Sequence, residues 1–185
     1  NGKVSIGLSC DYTRGAITNA KLVIAQVNDQ LPYTTSDSAM VDVSEFTCFV
    51  LHNEPIPELP PAPLTEVEIN IGKNCASLVE DGDTLQLGIG SIPDAVCASL
   101  MDKKDLGIHT ELMCDGVMDL MNAGVVNNSK KTFDKGVSTT AFIMGTRKMY
   151  DFVDHNPQVN MQPVDYTNDP IRISQLDHIV SINSA

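Results

Sequence analysis

Two stretches of this chain hold residue types whose spacing could do chemistry together. Residues 106–120 read LGIHTELMCDGVMDL: an apolar run, one carboxylate at Glu111, then an Asp-Gly turn into a helix-like stretch. Upstream, residues 85–96 read LQLGIGSIPDAV, where Gly88 and Gly90 permit a tight turn, Ser91 can cap a helix and Pro93 suits the first helical turn. A glycine turn that carries a strand into a helix gathers unpaired N–H groups at the positive end of the helix dipole, so it can hold an anion or an oxyanion. A glutamate at the end of the neighbouring strand is expected to face the same crevice, at the carboxyl ends of the strands. Such a carboxylate is a nucleophile that needs no partner base and can attack an activated acyl group to give an anhydride. Each feature also has a purely structural reading: residues 88–92 as a plain strand-to-helix turn, Glu111 as a helix cap or the partner of a surface lysine. A dinucleotide fingerprint with Glu111 on a ribose is the rival functional reading, but Pro93 stands where close helix packing wants a glycine.

The other chemistry-bearing residues form no pattern. His52, His109, His155 and His178 lack HxxxH or HxH spacing, so no metal site is expected. Cys10, Cys48, Cys75, Cys97 and Cys114 are odd in number and never arranged as CxxC, which implies free thiols in a reducing, cytoplasmic compartment. Cys75 and Cys97 fall in helix-like stretches as small core residues, and Cys114 has no base pattern beside it to make it a nucleophile. The formal charge of −12 opposes broad contact with nucleic acid or an anionic membrane. The pairs Lys103-Lys104 and Lys130-Lys131 read as solvated surface. No apolar run approaches the roughly 20 residues that span a bilayer, and no signal or lipidation motif is visible.

These residues need elements to position them. Residues 2–11 alternate as a strand, and a helix capped by Thr13 is expected to run to about Asp29, with Ala16, Ala20, Ile24 and Val27 on its apolar stripe. Residues 41–43 and 48–51 read as short strands. Five prolines in residues 53–63 exclude either element and mark a linker. Thr65 then caps a helix whose stripe is Val67, Ile71, Cys75 and Leu78. From there strands at 84–87, 107–111, 139–144, 159–164 and 178–182 alternate with helices near Pro93, Val117, 147–153 and Ile171. Asp115-Gly116 turns the chain and caps the helix at Val117, and Gly145-Thr146 marks the next strand-to-helix junction, as a cap or as an approach to a ligand. Strands alternating with helices imply an α/β fold, an open and mostly parallel sheet covered by helices on both faces.

Taken in order, AKLVIAQVNDQLP, VDVSEF, LQLGIGSIPDAV, GIHTELMCDGVMDL and FIMGTRKMYDFV resemble the acetyl-CoA hydrolase/transferase family. The resemblance runs over nearly the whole chain and implies an internal fragment spanning parts of two related CoA-transferase domains. Residues 1–52 would be the end of the first, 53–63 the linker, and 64–185 the first part of the second. It implies that Glu111 is the catalytic nucleophile and that Gly88, Ile89, Gly90, Ser91 and Ile92 form the CoA-binding turn. It further implies an acyl-CoA:carboxylate CoA-transferase acting through a glutamyl-CoA thioester, on 4-hydroxybutyrate or a similar short acid with acetyl-CoA. An acetyl-CoA hydrolase is the alternative within the family. Coenzyme A would be a substrate, with no permanently bound cofactor. The partners would be acyl-CoA, a short-chain carboxylate, the remaining parts of the same enzyme and further copies in a homo-oligomer. The isolated chain is expected to be inactive.

Overall fold

The structure, a computed structural model, describes residues 2–184. Strand β1 (Lys3–Ser5) precedes helix α1 (Thr13–Asn19), β2 (Ile24–Val27), β3 (Met40–Asp42) and β4 (Cys48–Leu51). β1 pairs antiparallel with β3, and β2 pairs in parallel with β4. The expected strand over residues 2–11 is cut short at Gly7, whose φ of +68° turns the chain. Residues 8–10 then lie against a later strand, with Cys10 N–H donating to Ala141 O at 3.0 Å and Ile143 N–H to Leu8 O at 2.9 Å. The expected long helix also fails: α1 ends at Asn19, and Ala20 is already extended. None of α1's residues is buried, so no packing face prolongs it. Ile24, Ala25, Gln26 and Val27 instead find paired partners in β4.

Residues 52–64 carry no helix or strand. Helix α2 (Glu66–Ala76) opens with a capping box in which Thr65 and Glu68 satisfy each other's backbone N–H. Its expected stripe is rotated: Val67 and Leu78 are exposed, whereas Gly72 and Ala76 face the core. Small residues there let α2 approach helix α3 (Ser91–Ala98) closely, and a Cβ on Gly72 would stand 2.6 Å from the Ala95 backbone.

The remaining elements are β5 (Thr84–Leu87), β6 (Gly107–Met113), α4 (Asp115–Asn122), β7 (Ser138–Ile143), α5 (Arg147–Val153), β8 (Val159–Met161), α6 (Val164–Thr167), α7 (Pro170–Ile173) and β9 (Ile179–Ile182). The five strands β5 to β9 form a parallel sheet in the order β8-β7-β6-β5-β9. Because β5 to β8 are neighbours in sequence order, right-handed crossovers put α3, α4 and α5 on one face. The return from β8 to β9 crosses the sheet on the other face, where α6 packs on β6 and β7. This is the expected α/β architecture. Leu85, Leu87, Val96, Leu100, Ile108, Val117, Leu120 and Ile143 are among the residues that fill its core.

Candidate active site

β6 runs two residues past the expected end, so Glu111 lies inside the strand, where the pairing on both sides gives way. Toward β7 the register passes from Thr110–Thr140 to Leu112–Phe142. The carbonyl of Ala141, opposite Glu111, instead accepts Cys10 N–H and Asp11 N–H, and Thr140 Oγ1 donates to Glu111 O at 3.0 Å. Toward β5, regular pairing ends at Leu85–Ile108. Beyond it the Thr110 hydroxyl donates to Leu87 O at 2.9 Å and accepts from Leu87 N–H at 3.2 Å. Hydroxyls thus stand in for peptide groups on either side of Glu111. The glutamate side chain is exposed, and its Oε2 accepts a 2.7 Å hydrogen bond from Asn168 Nδ2, just after α6.

The alternation of side chains along β6 divides the expected crevice in two. Glu111 lines a cavity of about 280 Å³ with Gln86, His109, Thr167, Asn168 and Ser181. Ile89, Gly90 and Ser91 line a separate cleft of about 170 Å³ on the α3 side, with Leu59, Leu112, Cys114 and Met144. Glu111 lines the first hollow and its neighbour Leu112 the second, and no described residue lines both. Gly88 and Ile92 belong to the same turn but are not among the cleft's lining residues.

Within the turn, Gly90 has φ +110° and ψ −178°, a backbone region open to glycine. It is Gly90, not Ser91, that precedes the helix. Ser91 Oγ donates to Glu68 on α2, and that bond, with those from Thr65, pulls the Glu68 carboxyl down to about 2. The first N–H groups of α3 have no acceptor within the helix. Ile89 is 56% exposed at the cleft. Cys114 precedes α4 in the same cleft and its Sγ donates to Asp94 Oδ1 at 3.8 Å, while its interaction with buried Cys97 lowers its pKa and raises that of Cys97.

Asp115 does not cap α4. Its carboxylate accepts from Thr146 N–H at 2.9 Å and from the Thr146 hydroxyl, tying the start of α4 to the start of α5. Gly145 is the close neighbour that this contact requires, because a Cβ there would meet Asp115. Neither Gly145 nor Thr146 lines either hollow. Their junction instead fastens the proline segment: Leu59 N–H donates to Gly145 O at 2.9 Å, and Tyr150 Oη donates to Pro57 O at 2.8 Å.

Behind Glu111 lies a buried polar layer. His109 Nε2 is 2.9 Å from Thr167 O, and burial lowers the pKa of the ring from its ordinary 6.5. Lys131, read from sequence as solvated, is 1% exposed. Its ammonium donates to Ile108 O, Val137 O and Thr139 Oγ1, and burial pushes its pKa down to about 8. Thr139 passes a hydrogen bond to Asp134, which also accepts from Tyr166 Oη. Sequence reasoning missed His109, Thr167 and Asn168. The position of His109, two residues before Glu111 on the same face, was readable. Asn168 carried no local signal, since a turn after a four-residue helix brings it to the carboxylate.

The model of the acetyl-CoA hydrolase/transferase C-terminal domain matches residues 145–185. The chain is 54% identical over 183 residues to a 4-hydroxybutyrate coenzyme A transferase of Clostridium kluyveri, covering 99% of this chain and 42% of that protein. It is 46% identical over 184 residues to a succinyl-CoA:cyclohexane-1-carboxylate CoA transferase of Geobacter metallireducens, of which it again spans 42%. A crystal structure of a 4-hydroxybutyrate CoA-transferase from Porphyromonas gingivalis superposes with a TM-score of 0.94 at 47% identity, over 98% of this chain and 46% of that one. The chain thus spans less than half the length of these relatives.

Proposed function

Since the chain belongs to the acetyl-CoA hydrolase/transferase family, we propose that it is the nucleophile-bearing part of a longer acyl-CoA:carboxylate CoA-transferase, with Glu111 as the attacking group. One observation carries this reading: an exposed carboxylate sits where the sheet opens at β6, held at one oxygen by a neutral amide. With Oε2 on Asn168, Oε1 is left to attack the thioester carbonyl of an acyl-CoA. The C–S bond breaks, CoA leaves as thiolate, and a mixed acyl-glutamyl anhydride remains. The thiolate then attacks the glutamyl carbonyl, releasing the first acid and leaving a glutamyl-CoA thioester. The charge that develops on the glutamyl oxygen during that attack faces the Asn168 donor. A second carboxylate reverses the sequence and departs as the new acyl-CoA.

The two hollows suit a division of labour. The cleft at Ile89, Gly90 and Ser91 takes the thiol end of CoA beside the first turn of α3. The cavity on the Glu111 face takes the acid, with 4-hydroxybutyrate or a similar short acid as substrate and acetyl-CoA as donor. Incubating the full-length protein with an acyl-CoA and no acceptor, quenching, and mapping peptides by mass spectrometry should find CoA on the peptide containing Glu111. Glu111→Gln should abolish both the adduct and turnover. A protein that binds CoA yet forms no adduct would sink the covalent mechanism and leave direct hydrolysis as the better account.

A further inference from the structure

The proline segment returns to the cleft at the glycine turn. Leu59, Pro60, Pro61 and Ala62 all line that hollow of about 170 Å³, together with Gly90 and Ser91. The start of α5 pins the segment just before it enters the cleft. Tyr150 Oη donates to Pro57 O at 2.8 Å, Arg147 N–H to Glu58 Oε2 at 2.8 Å and Leu59 N–H to Gly145 O at 2.9 Å. Beyond the cleft, Thr65 is held in the capping box of α2. A connection fixed at both ends, and stiffened by Pro60 and Pro61 whose rings set φ, is a rigid wall.

The chemistry this wall offers is one-sided. Pro60 and Pro61 have no N–H, and that of Leu59 is spent on Gly145. Residues 59–61 therefore present carbonyl acceptors and apolar side chains, with no free backbone donor. Among the described residues that line the cleft none is a lysine, arginine or histidine, whereas Asp94 and Asp115 carry carboxyl groups. A phosphate finds neither donor nor cation on this wall, and like charge opposes it. The pantetheine arm of coenzyme A is the reverse: uncharged, with amide N–H groups to give and methyl groups to bury. We infer that residues 59–62 form a wall that grips the pantetheine arm of the acyl-CoA donor, that Tyr150 is the positioning residue which holds this wall in place, and that the phosphates bind elsewhere. This rests on the cleft being the site of the CoA thiol.

The test is donor kinetics in the full-length protein, with acetyl-CoA and with acetyl-pantetheine, which lacks the nucleotide and its phosphates. Leu59→Ala trims a half-exposed side chain, so no hole opens in the core. Tyr150→Phe removes only the hydroxyl that joins Pro57 O to Gly145 N–H. Each variant should lower kcat/KM about fivefold, as expected for one lost contact. The loss should be the same factor for both donors and should fall on KM where acetyl-CoA saturates. A loss with acetyl-CoA alone would put the wall against the nucleotide, and a loss in kcat alone would make it a structural brace. Wild type that uses acetyl-CoA but not acetyl-pantetheine would mean that the arm is not gripped. Each of these overturns the inference. Gly90→Val separates it from the reading beneath: if that variant raises KM while the two wall variants do not, the wall fails and the cleft stands. If none of the three moves KM, the cleft is not the CoA site and the wall falls with it. Transfer from neither donor by wild type would overturn the transferase reading itself.

Discussion

The carboxylate of Glu111 has one fixed oxygen and one free one, and Asn168 decides which is which. Asn168→Ala removes the donor without touching the sheet, so the loss should fall on kcat more than on KM. Deleting a donor to a developing oxyanion typically costs about 10²–10³ in rate, and the exposure of this pair puts the expectation at the lower end. Steady-state kinetics of the full-length variant check this, and a change confined to KM would reduce Asn168 to a binding contact. Glu111 and the glycine turn were legible in the sequence because each is a local signal: a lone carboxylate on an apolar strand, two glycines between strand and helix. Asn168 and Thr167 were not, and of His109 only its place on the strand was. Their roles arise only when α6 folds back over β6, and no spacing along the chain records that contact.

At the scale of elements, most of the strand and helix order from Thr65 onward was readable, because each apolar run is closed by a turn residue. The misreadings came where pairing or packing overrides local pattern. The stripe of Ala16, Ala20, Ile24 and Val27 fits a helix, yet Ile24 to Val27 joins a strand once β4 offers a ladder. On α2, hydrophobicity pointed to Val67 and Leu78, whereas the packed face is set by how near two helix backbones can come. Gly72 lies at that contact, with the Ala95 carbonyl carbon and oxygen both 2.6 Å from where a Cβ would stand. Gly72→Val should therefore force α2 away from α3 and cost about 1–3 kcal/mol, the usual range for overpacking. Chemical denaturation should place its midpoint well below that of wild type. An equal midpoint would mean that the helices separate freely.

Over the whole molecule, the surprise is a lysine inside an acidic protein. Lys131 threads beneath β6, and Gly107 is small because a Cβ there would lie 2.6 Å from the Lys131 stem. Its folded pKa, about 8, is below the ordinary 10.5. Between those values the unfolded chain binds the proton more readily than the folded one, so the Lys131 contribution to stability rises with pH across that window and is lost as pH falls through 8. The full swing is on the order of 3 kcal/mol. The stability difference between wild type and Lys131→Met, followed by denaturation from pH 7 to 10.5, should shift in favour of wild type as pH rises; a difference independent of pH would mean that the ammonium is better solvated than its burial implies. The sequence placed Lys131 at the surface because charge alone carries no record of the three oxygens that fold around it.

The hydrogen bonds that Cys10 and Asp11 give to Ala141 O bear on how the molecule forms. β5 to β8 pair with sequence neighbours and close short loops. The contact of residues 8–10 with β7 joins segments more than 130 residues apart, as loop-closure entropy makes slowest and latest. The gap that frees the glutamate is thus finished by the last arrival, so chains caught partway through folding carry the carboxylate without its final surroundings.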